Sequence, residues 1–216
     1  MASSQYDGRL SGPLTAQLVA MSGAGKTSFM KQFLKHHEQL VNPPFTKKIW
    51  VYAEWQVAYD DMDDVEFVRT LNEDTISREK LGEGSHTALV IDDMIDEIDE
   101  KFMSRLYSKY SHHRFISCFT LLQSLFLTSM RNHRFLSQNT HYLFLWKSPR
   151  DYCSVTTLLR QMFGSKSYKY ALDAFEDATR PKYGYLLISM CSDTPRELSL
   201  RSRILPHEEN YVYLIP

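Results

Sequence analysis

Short apolar runs alternate with segments of helical period along most of this chain. Residues 14–20 (Leu-Thr-Ala-Gln-Leu-Val-Ala), 87–91 (Thr-Ala-Leu-Val-Ile), 114–121, 141–146 and 184–189 are too short and too evenly apolar for amphipathic helices. They read as strands buried on both faces, and residues 48–54 (Lys-Ile-Trp-Val-Tyr-Ala-Glu) as another. After the first of them, Phe29, Met30, Phe33 and Leu34 recur at helical spacing until Asn42-Pro43-Pro44 ends the helix. Helical sequence returns over about 95–107, 153–163 and 169–178, while 60–80 is acidic, weakly periodic and reads as a helix and a loop. Such alternation predicts an α/β domain, a mostly parallel central sheet with helices on both faces. No repeat, low-complexity tract or linker divides it. Residues 14–205 therefore form one domain, between a flexible segment 1–13 and a tail 206–216.

The turn between the first strand and the first helix carries the chemistry. Ala20-Met21-Ser22-Gly23-Ala24-Gly25-Lys26-Thr27 fits the phosphate-binding pattern [Ala/Gly]-x-x-x-x-Gly-Lys-[Ser/Thr], the P-loop or Walker A motif. Glycines let the backbone curl so that several N–H groups face one anion, and the helix start adds roughly half a positive charge. Ser22, Gly23, Ala24, Gly25, Lys26, Thr27 and Ser28 are the candidate nucleotide-binding residues, with Lys26 reaching the β and γ phosphates and the Thr27 hydroxyl ligating Mg2+. Ala20 stands where most such loops begin with Gly, at a position that shapes the turn without touching phosphate. The chain is expected to bind a nucleoside triphosphate.

A phosphate loop needs a carboxylate beside it. Ala88-Leu89-Val90-Ile91-Asp92-Asp93 is an apolar strand ending in two acids, the Walker B pattern: Asp92 to hold Mg2+, Asp93 to polarise an attacking water as general base. Asp96, Glu97, Asp99 and Glu100 read instead as charges at a helix start. Gln123 ends the strand 115–122, where an amide can sense the γ-phosphate or its water. The order of these strands suits the ASCE type of P-loop NTPase, in which an extra strand lies between the P-loop and Walker B strands.

Composition narrows the partners. Among 216 residues the net charge is −1, so contact with nucleic acid must come from a local patch or from oligomer geometry. Three cysteines, Cys118, Cys153 and Cys191, lack Cys-x-x-Cys spacing and fit a reducing compartment, with Cys118 and Cys191 reading as core packing in strands. No run is apolar enough to span a bilayer or serve as a signal peptide, which predicts a soluble, intracellular protein without membrane contact.

Ala53-Glu54-Trp55-Gln56, Ile91-Asp92-Asp93-Met94, Ser111-His112-His113-Arg114, Leu122-Gln123-Ser124-Leu125-Phe126 and Lys147-Ser148-Pro149-Arg150-Asp151, taken in order and spacing, carry a resemblance. From about Leu14 to Leu205 the chain resembles the genome-packaging ATPases of Polinton/Maverick-type elements and adintovirus-like double-stranded DNA viruses. These are similar to the poxvirus-type packaging ATPases of the FtsK–HerA superfamily. Ala53 departs from the Gly usual before Glu-Trp-Gln, and Trp55 is expected to pack in the core. The resemblance implies an ATP- and Mg2+-dependent motor that moves double-stranded DNA into a capsid, as a homo-oligomeric ring with a capsid or portal partner, in the host nucleus or cytoplasm with assembling virions. It also implies an arginine acting on the neighbouring subunit's site; Arg134 matches it, with Arg131 and Arg150 as alternatives. Lys101, Arg105 and Lys109, spaced by four, could track DNA phosphates, or form a solvated face paired with nearby acids. Two rival readings are a P-loop nucleoside or nucleotide kinase and a non-hydrolysing ATP-binding subunit of a packaging complex.

Overall fold

A computed structural model describes residues 7–94, 97–125, 136 and 138–215. Its strands are β1 (Leu10–Ser11), β2 (Thr15–Val19), β3 (Val41–Asn42), β4 (Lys47–Tyr52), β5 (Glu66–Val68), β6 (Thr87–Asp92), β7 (Ile116–Leu122), β8 (Tyr142–Trp146), β9 (Tyr185–Ser189), β10 (Leu200–Ser202) and β11 (Tyr211–Val212). The helices are α1 (Lys26–Lys35), α2 (His37–Leu40), α3 (Arg78–Leu81), α4 (Glu100–Arg105), α5 (Ser111–His113) and α6 (Tyr152–Ala178). Among the described residues nine strands form one sheet in the order β11-β10-β9-β8-β2-β7-β6-β4-β5, and β1 pairs separately with β3. From β8 across to β5 all pairs are parallel; β9, β10 and β11 run antiparallel at the other edge. β7 lies between the P-loop strand β2 and the acid-tipped strand β6, as the ASCE order requires.

Every residue of β2, β6, β7 and β8 is buried, which only a sheet covered on both faces allows. Two-residue alternation sorts the side chains. Ala88 and Val90 of β6 join Phe144 and Trp146 of β8 in a core closed by Phe29, Met30, Phe33 and Leu34 of α1. Leu89 and Ile91, with Leu143 and Leu145, face the other way, under Phe102, Met103 and Leu106 of the helix beginning at α4 and under Val155, Leu159 and Phe175 of α6. The four apolar positions expected of the first helix are those that bury it, and its aromatic rings lock it over the sheet: Phe29 lies 5.2 Å from Phe144 and 4.7 Å from Tyr185, Phe33 5.3 Å from Phe119. Removing a ring such as Phe33 costs about 3–5 kcal/mol.

Several expectations change. The helix expected over 95–107 starts at Glu100, because the Asp99 side chain caps it by accepting from Phe102 N (2.8 Å), and it continues through a π turn at Leu106–Tyr110 to His113. Ile95 and Asp96 lie outside the described residues. Residues 60–80 contain a strand, β5, beside the short helix α3; Phe67 and Val68 pack on opposite faces of the sheet, a strand's alternation. The two helices expected over about 153–163 and 169–178 are present as the two arms of α6, which meet at the non-helical Gly164 (φ 71°, ψ 173°). Both arms pack on one core, so the chain goes out and back and re-enters the sheet antiparallel at the end it left. Trp55 is not core: its side chain is 47% exposed. Cys118 is buried in β7, but Cys191 lies past β9, half-buried, its thiol 3.7 Å from the His141 carbonyl. β1 falls within 1–13 and β11 within 206–216.

Candidate functional site

Parallel strands deliver their ends to one side of the sheet. There β2 runs out into the Gly-rich turn, β6 ends at Asp92, and β4 pairs with β6 so that Tyr52 stands beside Asp92. Alternation puts Asp92 on the face of Ala88 and Val90, the one α1 covers. A cleft of about 470 Å3 lies where these ends meet, lined by Ser22, Gly23, Gly25, Lys26, Thr27 and Ser28 from the turn and helix start, and by Asp92 and Asp93.

The turn is built for an anion. Gly25, the N-cap of α1, holds φ 99°, and Gly23 φ 77°, both in the left-handed region where a side chain is strained. No side chain caps α1 and no acid stands in its first turn, so its free N–H groups and positive end face the cleft. Lys26 is only 6% exposed; its ammonium donates to the Ala20 carbonyl and lies 3.4 Å from that of Met21. Burial pushes the Lys26 pKa down, and the charges of Asp93 and Asp92 oppose this. Asp92 is 3% exposed, and burial pushes its carboxyl upward; the Tyr59 hydroxyl, donating to Asp92 Oδ2 at 2.8 Å, and Lys26 favour its charged form. Asp93 leaves the strand at φ 52° and is exposed in the cleft wall. A buried ammonium, a buried carboxylate, an exposed carboxylate and a hydroxyl around a helix start suit a phosphate chain with a hard divalent cation, which takes one or two protein carboxylates beside substrate oxygens. Among the described residues no group of three or more His, Cys, Asp or Glu could hold a metal ion.

The other expected residues divide. Ala24 sits inside the turn, half-buried. Gln123 is exposed one residue past β7, outside the cleft lining; the next side chain, Ser124, donates to Asp151 at 2.9 Å. Arg134 and Arg131 lie outside the described residues, and Arg150 is exposed in the turn before α6. Lys101, Arg105 and Lys109 are exposed, and Arg105 lies 3.4 Å from Glu73.

Several cleft residues were not legible in the sequence. Because β9 runs antiparallel to β8, the turn before it arrives at the P-loop end. Tyr183 in that turn (φ 66°) lines the cleft, its backbone carbonyl held by Trp146 Nε1 at 3.0 Å. A Cβ on Gly25 would meet the Tyr183 ring at 3.0 Å, a second reason for glycine there. β10 in turn brings Leu205 and Glu208 to the same wall. Gln56 and Ala58 enter from the segment after β4. The only sequence signal for any of these was the Glu54-Trp55-Gln56 run.

No protein-family model matches the chain, and no curated protein matches its sequence. Solved structures do resemble it. The genome-packaging NTPase B204 from Sulfolobus turreted icosahedral virus 2, in complex with ATP-gammaS, is 14% identical, with 84% of this chain and 94% of that one covered and a TM-score of 0.49. The cytoplasmic domain of the Thermomonospora curvata type VII secretion ATPase EccC is 10% identical, with a TM-score of 0.51 over 93% of this chain. This chain spans only 25% of that one. At such identity the likeness is one of fold.

Proposed function

We propose that this chain is an Mg2+-dependent ATPase of the ASCE P-loop type, its catalytic unit residues 14–205, that hydrolyses ATP to move double-stranded DNA into a viral capsid. The observation that carries the ATPase reading is the convergence of Lys26, Thr27, Asp92 and Asp93 on one cleft at the start of α1. In this reading the N–H groups from Gly23 to Ser28 and the Lys26 ammonium hold the phosphates, while Thr27 and Asp92 hold Mg2+. Bound Mg2+ neutralises charge on the β and γ oxygens. Asp93, exposed beside the buried Asp92, takes the proton of the attacking water; Gln123, which stands outside the cleft lining, orients that water once its side chain turns into the cleft. An acid for each task in adjacent positions favours water attack over transfer to a second substrate, and so hydrolysis over a kinase. DNA as the moved substrate, a ring, Arg134 acting on the neighbour's site, and a capsid or portal partner rest on the sequence resemblance. So does a place with assembling virions in the host nucleus or cytoplasm. Among the described residues no helix is long and apolar enough to cross a membrane.

The test is phosphate release from ATP without an added acceptor, with and without duplex DNA, alongside sedimentation with an ATP analogue. Expected are release that DNA stimulates and a ring-sized species. Release indifferent to DNA would remove the motor and leave the ATPase; no release, with ADP and a phosphorylated product formed only when a nucleoside or nucleotide acceptor is added, would make the chain a kinase.

A further inference from the structure

The segment between Ala53 and Asp60 has no part in the mechanism above, yet it reaches the site's most buried charge. Its short helical turn, Val57–Tyr59, is closed by Tyr59 N donating to Gln56 O at 2.9 Å. That turn aims Tyr59 inward, 2% exposed, among Trp50 (ring centroids 5.3 Å apart) and Phe67 (5.2 Å). At the inner end its hydroxyl meets Asp92 Oδ2 at 2.8 Å. The buried Trp50 indole N–H also favours the charged form of Asp92 but makes no hydrogen bond, so Tyr59 is the donor that sets the carboxylate's rotation.

We propose that Tyr59 is a positioning residue for the metal-binding carboxylate: its hydroxyl fixes Asp92 so that the remaining oxygen lone pairs stay available to the cleft that Thr27 also lines, where the two residues would hold Mg2+. This rests on reading Asp92 as an Mg2+ ligand. Carboxylate ligands are held by hydrogen bonds from an outer shell, and loss of such a partner weakens metal affinity or activity about 10–100-fold. The same segment places Gln56 and Ala58 in the cleft wall and leaves Trp55 and Val57, 47% and 84% exposed, on the outside. A short loop thereby joins the protein surface to the buried carboxylate.

Tyr59→Phe keeps the ring and removes only the donor. Binding of a fluorescent ATP analogue, titrated with Mg2+, reads the effect. Expected are an Mg2+ half-saturation about tenfold higher, an unchanged affinity in EDTA, and no further change when Tyr59→Phe is added to Asp92→Asn. Phe67→Leu disturbs the same ring cluster without touching the hydroxyl and should leave the half-saturation where it was. An unaltered Mg2+ half-saturation in Tyr59→Phe overturns the proposal. So does an equal shift in Phe67→Leu, or an additive shift in the double variant. Wild-type affinity that ignores Mg2+ would overturn it together with the metal role of Asp92. Hydrolysis without DNA stimulation would sink the motor and leave Tyr59 its role.

Discussion

The two ends of the parallel strands both bury polar groups, and they treat them in opposite ways. Where the strands begin, His86 is 2% exposed and completed on both ring nitrogens, by the Pro43 carbonyl and Ser117 Oγ, each at 2.8 Å. His37 Nδ1 accepts from Phe45 N at 3.0 Å, and His141 Nδ1 from Thr15 N at 3.0 Å. These are neutral rings closed by the chain itself. Where the strands end, Lys26 and Asp92 are as deeply buried but charged, the lysine leaning on loop carbonyls and the aspartate held by a single tyrosine donor. A buried polar group finished by its own fold is structure; a buried charge left facing a cleft costs stability and persists when a ligand completes it.

The sharpest way to break that contrast is Lys26→Ala. If the lysine serves phosphate rather than the fold, the variant loses ATP binding and its phosphate release falls by a factor on the order of 100–1000. Its Tm should stay at or above the parent's, since a desolvated charge has been removed. Near-parental hydrolysis would dismiss the P-loop assignment. Asp93→Asn follows: turnover drops about 10²–10⁴-fold while Mg2+-ATP affinity holds, because an exposed carboxylate can give up its proton-accepting role without unbalancing the core. Normal turnover would move the base to another acid.

The strand-start end should respond in the other coordinate. His86→Ala strands the Ser117 hydroxyl and the Pro43 carbonyl, and loses about 2 kcal/mol, a Tm drop of about 4–8 °C. Nucleotide affinity of the folded fraction should not move; a specific loss of affinity would erase the division between the two ends. Asp92→Asn is the mirror case. Tyr59 can still donate to the amide oxygen, the burial penalty on the charge disappears, and Tm rises by about 2–4 °C at neutral pH even as Mg2+ dependence weakens. A lower Tm would mean that Asp92 is a structural acid.

The same asymmetry explains what the sequence disclosed. Continuous apolar strands, the helix face Phe29, Met30, Phe33 and Leu34, and the turn from Ala20 to Thr27 depend on neighbours along the chain, and their spacing exposed them. The strand order was also legible, because Asp92-Asp93 and Gln123 mark the strand ends. Tyr59 was not, since nothing in spacing links it to an aspartate 33 positions away. Tyr183, Leu205 and Glu208 were hidden for a different reason: they reach the cleft only because β9 reverses, and that reversal turns on the break at Gly164. Trp55 misled because an aromatic next to a strand packs inward more often than it lies 47% exposed. Arg134 falls outside the described residues, and its role stays with the mixed-subunit test, in which Arg134→Ala and Lys26→Ala chains should restore one another's hydrolysis.

The smallest expected effect is the pH slope of stability, in which the two ends pull in opposite directions. Burial pushes the pKa of His37, His86 and His141 below the ordinary histidine value. Below about pH 6.5 the unfolded chain therefore takes up protons that the folded chain refuses. Their contribution is fully present above that pH and is lost as pH falls from there toward the lowered folded values. Asp92 has the opposite sign: burial raises its pKa, so the folded state takes a proton while the unfolded carboxyl is still ionised, and its burial penalty is relieved as pH falls through the raised value. Denaturant melts between pH 5 and 8 should show stability declining on the acid side, because three rings outweigh one carboxyl. His86→Gln should flatten that decline by its share, and Asp92→Asn should steepen it. An identical slope in His86→Gln would mean that His86 titrates alike in both states, and that the strand-start end owes nothing to neutral buried histidine.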